Sequence, residues 1–168
     1  LRHMIRALLL LVLLSPCSTA LGAWTGDYLT AKGARCSAYE RVVEGARHRG
    51  HHCVLPQGFL DTYPHPVALH VPDQFVTQET LNAVLYLHGL SDHTKPIPYD
   101  YVDSLFGHDM GVALSMSAAN AVLIMPGGTA GNAAFKRYLT ATSTHFDRFM
   151  NELVTLLNSA GLSQAPKL

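Results

Sequence analysis

The stretch that most constrains the fold is the apolar run AVLYL at residues 83–87, which ends abruptly in His88 and Gly89. An unbroken apolar run rich in β-formers is typical of a strand buried on both faces inside a parallel sheet. Gly89 allows a turn in which the backbone can approach a ligand closely. Because ligands of open α/β sheets bind at the carboxyl ends of strands, the segment after residue 87 is the first candidate site.

Two more segments favour strands. VALHVP at residues 67–72 predicts a short, peripheral antiparallel strand that Pro72 ends, with His70 alternating off the apolar face toward the surface. AVLIM at residues 121–125 predicts a second buried strand, followed by the glycine-rich loop PGGTAGN. From residue 24 to residue 35 the signals are weak, and two glycines predict a loop or a short strand.

Helical patterns follow each of the two buried strands. Small and apolar residues at 109–119 predict a close-packed helix that Gly111 weakens. Thr144 and Asp147 form a start signal for a second helix, and Gly161 ends it. One face of this helix repeats apolar residues at helical spacing, which predicts core packing: Phe146, Phe149, Met150, Leu153, Leu156 and Leu157.

Residues 1–23 have the organisation of a secretory signal peptide. Arg2, His3 and Arg6 precede the apolar run ALLLLVLL, and small residues up to Ala23 follow it. The apolar run is too short for a permanent membrane span. We therefore expect residues 24–168 to form the exported part, secreted or periplasmic, without a stable membrane anchor after cleavage.

Cleavage of the signal removes Cys17 and leaves Cys36 and Cys53. An even pair in an oxidising compartment predicts a disulfide, with reactive thiols as the alternative.

The segment ARHRGHHC just before Cys53 could also be written as a zinc site of His48, His51, His52 and Cys53. Adjacent ligands on a glycine-containing turn seldom converge, so a solvated hairpin tip is the simpler interpretation.

The ordered set LHVPDQF (69–75), VLYLHGLSD (84–92) and AVLIMPGG (121–128) resembles the oxyanion-loop region of the α/β-hydrolase superfamily, particularly its secreted esterases. The resemblance implies an α/β fold, part of a three-layer hydrolase-type domain with a mostly parallel sheet. It also implies that His88, Gly89, Leu90 and Ser91 form an oxyanion and binding loop, with the Leu90 N–H as donor and His88 as buttress. The substrate would be a small-molecule or polymer-linked ester.

The G-x-S-x-G nucleophile motif is absent, so this resemblance makes residues 24–168 an amino-terminal part of the domain. The nucleophilic serine, the aspartate and the histidine of a triad are expected downstream of Leu168. The chain alone is then expected to be catalytically silent, and its organising strand would carry an unpaired apolar edge.

Three alternatives compete with this interpretation. Ser91 in GLSDH could be the nucleophile itself, although His93 stands where the tight strand-to-helix turn needs a small residue. His88, Asp92 and His93 match three positions of the H-x-H-x-D-H signature of metallo-β-lactamase-like hydrolases, but Leu90 stands in place of a ligand. A secreted, non-catalytic binding domain is the third alternative.

The composition and motifs limit which partners and cofactors we expect the chain to bind. Twelve basic residues balance twelve acidic ones, without a basic patch interleaved with aromatics, so we expect no nucleic-acid partner. PGGTAGN lacks the spacing and the lysine of a P-loop, so no nucleotide or other organic cofactor is implied. We expect no metal requirement.

Overall fold

The computed structural model describes residues 24–87, 105–127 and 144–163, the side chains of residues 105–108 excepted. Within these ranges the chain forms five strands and three helices: α1 Asp27–Ala31, β1 Arg35–Val43, β2 Ala46–Leu55, β3 Val67–Pro72, β4 Ala83–Leu85, α2 Leu105–Met116, β5 Val122–Pro126 and α3 Thr144–Ser159. In this part of the chain, no helix is long and apolar enough to cross a membrane.

Strands β1 and β2 form a hairpin around the two-residue turn Glu44-Gly45. Both turn residues have positive φ, 51° and 83°, as a type I′ turn requires. The register then places Cys36 directly opposite Cys53. Their Sγ atoms form a disulfide with Cα atoms 4.0 Å apart, which confirms the predicted pairing.

The five strands form one sheet in the order β1-β2-β3-β5-β4. Within the described residues, β1–β2, β2–β3 and β3–β5 pair antiparallel, and the remaining pairing, β4–β5, is parallel. The prediction of a mostly parallel, three-layer α/β sheet is therefore wrong. The physical reason is connectivity: residues 44–45 join β1 to β2 and residues 56–66 join β2 to β3 without a helix, whereas the connection from β4 to the parallel strand β5 contains α2.

Helices cover both faces of the sheet. On one face, α1 and α3 bury Leu29, Phe149, Leu153 and Leu157 against residues such as Ile124. On the other face, Leu114 of α2 packs with Ala68, Leu123 and Met125. Strands β3 and β5 lie between these layers and are buried at every position. The predicted second strand is thus confirmed, and so is the second helix, after which Gly161 adopts φ 81°.

Three local predictions need correction. Residues 27–31 form the helix α1 instead of a loop or strand, with Gly26 (φ 78°) at its amino end. Strand β3 is antiparallel as predicted but central, and His70 is fully buried because both faces of β3 are covered. The basic, histidine-rich segment lies along β2, since the turn of the hairpin comes earlier, at residues 44–45.

Strand β4 also differs from its prediction as a strand buried on both faces. It occupies an edge of the described sheet, and Val84 and Leu87 remain 44% and 41% exposed. In the described part of the chain, no strand pairs with its outer edge.

Candidate functional site

The carboxyl ends of β4 and β5 lie side by side. The two strands are held in parallel register by bonds from Val122 N to Asn82 O (3.0 Å) and from Tyr86 N to Ile124 O (2.8 Å). Both strands therefore end on the same side of the sheet, and in α/β proteins ligands bind at the carboxyl ends of parallel strands. The predicted residues His88, Gly89, Leu90 and Ser91 follow β4 directly and lie outside the described residues. The alternative ligands Asp92 and His93 lie outside them as well.

The position where the chain leaves β5 is fixed by two hydrogen bonds to Gly127. Its N–H donates to Pro66 O at 2.7 Å, and its carbonyl accepts a hydrogen bond from the Tyr63 hydroxyl. The Tyr63 ring is fully buried, with the ring of Phe149 5.0 Å away. A buried tyrosine with a satisfied hydroxyl is a rigid anchor, so the exit of the glycine-rich loop is defined from inside the core.

Glu152 on α3 holds the loop that carries Tyr63. Its carboxylate accepts hydrogen bonds from the backbone N–H groups of Asp61 (2.8 Å) and Thr62 (2.9 Å), and from the Thr62 hydroxyl. Such charge-assisted bonds are among the stronger ones in proteins. A continuous series of contacts thus runs from α3 through Glu152 and Tyr63 to the carboxyl end of β5.

His65 lies beside this series, with its ring edge-on to Tyr63 at 5.5 Å. Burial lowers the pKa of His65 below its ordinary value, because an imidazolium loses solvation there. The neutral form is therefore favoured next to the anchor of the β5 exit.

The zinc site considered for β2 does not form. Successive side chains of a strand point to opposite faces, so His48 and His52 lie on one side of the sheet and His51 and Cys53 on the other. Cys53 is also committed to the disulfide. Within the described ranges, no group of three or more His, Cys, Asp or Glu side chains could hold a metal ion.

A shallow groove of about 330 Å³ lies on the β1–β2 hairpin, lined in part by Glu40, Arg49, His51 and Asp73. Arg49 lies 3.8 Å from Glu40 and 4.0 Å from Asp73, and His51 lies 4.0 Å from Asp73. Two carboxylates thus lie beside one guanidinium, and His51 adds a positive charge only when it is protonated. Exposed ion pairs of this kind contribute little to stability.

The sequence reasoning missed a buried polar cluster under α2. His52 Nδ1 lies 2.9 Å from His70 Nε2, and the two rings are 2% and 0% exposed. The Tyr39 hydroxyl lies 3.1 Å from Ser115 Oγ and donates to Gly111 O at 3.3 Å. Burial raises the pKa of Tyr39, and Asp73 raises it further while the Ser115 hydrogen bond opposes the shift.

One signal in the sequence pointed to this cluster. His70 has apolar neighbours on both sides in VALHVP, which is unusual for a surface position. Its partner His52 had no comparable signal, because the register that brings the two rings together depends on pairing between β2 and β3.

Comparisons of the chain with protein-family models, with curated proteins and with solved structures found no match. The function must therefore be argued from the geometry.

Proposed function

We propose that this chain contributes the oxyanion-binding loop of an exported serine hydrolase that acts on an ester or a related acyl bond. The observation that carries the proposal is the parallel pairing of β4 with β5. This pairing brings the carboxyl end of β4, which precedes His88 in the sequence, to the end of the sheet at which Gly127 is anchored. Ligand sites in sheets with parallel strands lie at such an edge.

Acyl transfer builds negative charge on a carbonyl oxygen, and a rigid backbone N–H stabilises that charge. In the proposal, the donor is the N–H of Leu90, which comes five residues after the end of β4 in the sequence. The backbone bond to Ile124 fixes Tyr86 at the end of β4, and Tyr63 fixes Gly127 at the end of β5. Because the carboxyl ends of β4 and β5 are both held by hydrogen bonds, they suit a preorganised N–H donor, which needs no reorganisation during the reaction.

The outer edge of β4 supports the expectation that the nucleophile comes from an additional strand. Strands expose N–H and C=O groups along an unpaired edge, and proteins usually cover such edges. In the described residues this edge is unpaired, and Val84 of β4 remains 44% exposed. A strand beside β4 would bring its own carboxyl end, and a serine there, next to the proposed donor.

Export is part of the proposal. The Cys36–Cys53 disulfide is typical of oxidising compartments, and the signal-like residues 1–23 would supply the route.

The test uses the 168-residue chain and the product of the same reading frame continued past Leu168. We expect a G-x-S-x-G motif in the continuation, and covalent labelling by a fluorophosphonate probe in the longer protein alone. In that protein, Leu90→Pro removes the donor N–H and should lower kcat on a short-chain aryl ester by about 10²–10³-fold. Leu90→Ala keeps the N–H and is the matched control.

Three results would overturn the proposal. Turnover by the short chain that Ser91→Ala abolishes would make Ser91 the nucleophile. Stoichiometric zinc that is lost in His88→Ala or His93→Ala would indicate the metal enzyme. A continuation with neither a nucleophile motif nor metal ligands would leave a binding domain.

A further inference from the structure

The His52–His70 pair has an unusual position for two titratable side chains. Neighbouring strands β2 and β3 place the two residues directly opposite each other, and the ring centroids are 4.3 Å apart. Helix α2 lies across them, so closely that a Cβ atom on Gly111 would be 2.3 Å from His70 Nδ1. The pair therefore lies at the contact between α2 and the sheet.

The 2.9 Å contact limits how many protons the pair can hold. A hydrogen bond between His52 Nδ1 and His70 Nε2 requires a proton on one of these nitrogens and a lone pair on the other. A first added proton binds to an outer ring nitrogen and leaves this bond intact. A second added proton must occupy the accepting nitrogen, so two N–H groups would face each other and two like charges would be buried.

We propose that the His52–His70 pair is a proton-operated latch that holds α2 on the sheet when neutral and loosens it when both rings are protonated. Opening the contact would give both imidazolium rings access to water, so acid would favour the open state. The chain runs from α2 into β5, so loosening of α2 in mild acid would also affect β5, the strand that Gly127 follows. The proposal stands on the geometry of the pair and does not depend on the proposed hydrolase activity.

Other charged and titratable groups on this side of the sheet could also respond to pH. Of the described residues, strand alternation places Arg35, Tyr39 and Arg41 of β1 and His48 of β2 on the side that α2 covers. Tyr86 packs at the far end of the same layer, and α2 contributes Asp109, which pairs with Arg41 at 3.5 Å. Tyr39, with its raised pKa, stays neutral in mild acid. Among the described side chains on this side, His48 is the remaining histidine, and it serves as the control.

The test is native-state hydrogen exchange of the 168-residue chain between about pH 8 and pH 5, the range in which histidine changes charge. Protection factors, which correct for intrinsic exchange, should fall for the α2 amides of Val112, Leu114 and Ser115. Each proton that binds only after opening raises the opening constant about tenfold per pH unit. The β3 amides of Leu69 and Val71 should stay better protected than the α2 amides throughout this range, because amides of a central strand exchange mainly through global unfolding.

His52→Gln removes one titrating ring but keeps a side chain that can hydrogen-bond to His70. It should flatten the pH dependence of α2 protection, and His48→Gln should leave that dependence unchanged. A constant α2 protection in the wild-type chain would overturn the latch, and so would equal protection of the α2 and β3 amides across the pH range.

If His52→Gln does not fold, the nitrogen chemical shifts of the wild-type imidazoles decide the matter. We expect one facing nitrogen to carry a proton and the other to accept it at the upper end of the pH range. Double protonation of the pair while α2 stays protected would overturn the proposal.

Discussion

Gly111 of α2 lies against the imidazole of His70. A Cβ atom at residue 111 would be only 2.3 Å from His70 Nδ1 and 2.8 Å from its Cγ. Real Cβ atoms essentially never approach this closely, and the His70 ring is fully buried, so a methyl group there would force a shift inside the core. The glycine that weakens the helix in sequence terms is therefore what allows α2 to reach the sheet.

Gly111→Ala should destabilise the protein. Alanine gains about 1 kcal/mol in helix propensity over glycine. The clash with a buried ring costs about 1–3 kcal/mol or more, so we expect a net loss in the free energy of unfolding. Urea denaturation measures it. In a His70→Ala background the extra methyl group should cost nothing, and stabilisation by Gly111→Ala in the wild-type chain would contradict the contact.

The Cys36–Cys53 disulfide should supply a substantial part of the stability of the hairpin. It joins residues 17 apart in sequence, and the chain-entropy model assigns about 3 kcal/mol to a loop of this size. Replacing both cysteines by serine should lower the free energy of unfolding by about that amount. Reduction by dithiothreitol should reproduce the loss in the wild-type chain and have no effect on the variant.

Thiol titration provides the control for that experiment. In a chain carrying Cys17→Ser, no thiol should react under non-reducing conditions, and two should react after reduction and unfolding. Two reactive thiols in the unreduced protein would show that the disulfide does not form.

The sequence predicted features that depend on short stretches of chain. The apolar spacing of Phe149, Leu153 and Leu157 defines one helix face, and all three side chains are buried in α3. Strand β5 has an uninterrupted apolar sequence and is buried throughout. The disulfide followed from the parity of the cysteines. Each inference needed only local spacing or counting.

The predictions that proved wrong concern features that depend on which secondary-structure elements become neighbours. The sequence of β3 does not show that α2 covers one of its faces and α3 the other, so the burial of His70 was missed. Likewise, the apolar run at residues 83–87 suggested a strand buried on both faces, yet Val84 and Leu87 of this run remain 44% and 41% exposed. The proposed oxyanion residues at 88–91 stay predictions, since they lie outside the described residues.

His65 should contribute a pH dependence to stability. Burial lowers its pKa in the folded state, so the unfolded chain binds more protons as the pH falls through the ordinary histidine range near about 6.5. Its contribution is therefore present above that pH and is lost below it. His65→Gln removes this titrating group. The free energy of unfolding should then fall less steeply with decreasing pH, and the change in slope should correspond to at most one proton.

Thermal and urea denaturation at several pH values would measure this difference. His145→Gln, an exposed position on the first turn of α3, is the comparison variant. An unchanged pH profile in His65→Gln, or a larger change in His145→Gln, would contradict the assignment.

Glu152→Gln should loosen the loop that positions Tyr63. Glutamine keeps one acceptor oxygen but replaces the other with an amide, so Asp61 and Thr62 can no longer both donate to a carboxylate. We expect a loss of about 1–2 kcal/mol in the free energy of unfolding. Exchange protection of the Gly127 amide should also fall, because Tyr63 transmits the change to the β5 exit.

The matched control is Glu79→Gln, an exposed position in the connection before β4. It should alter stability by no more than about 0.5 kcal/mol and leave Gly127 protection unchanged. If both substitutions have equal effects, Glu152 acts only as a surface charge. If Glu152→Gln destabilises the chain without affecting Gly127, the contact series from α3 to the proposed binding edge ends at the loop.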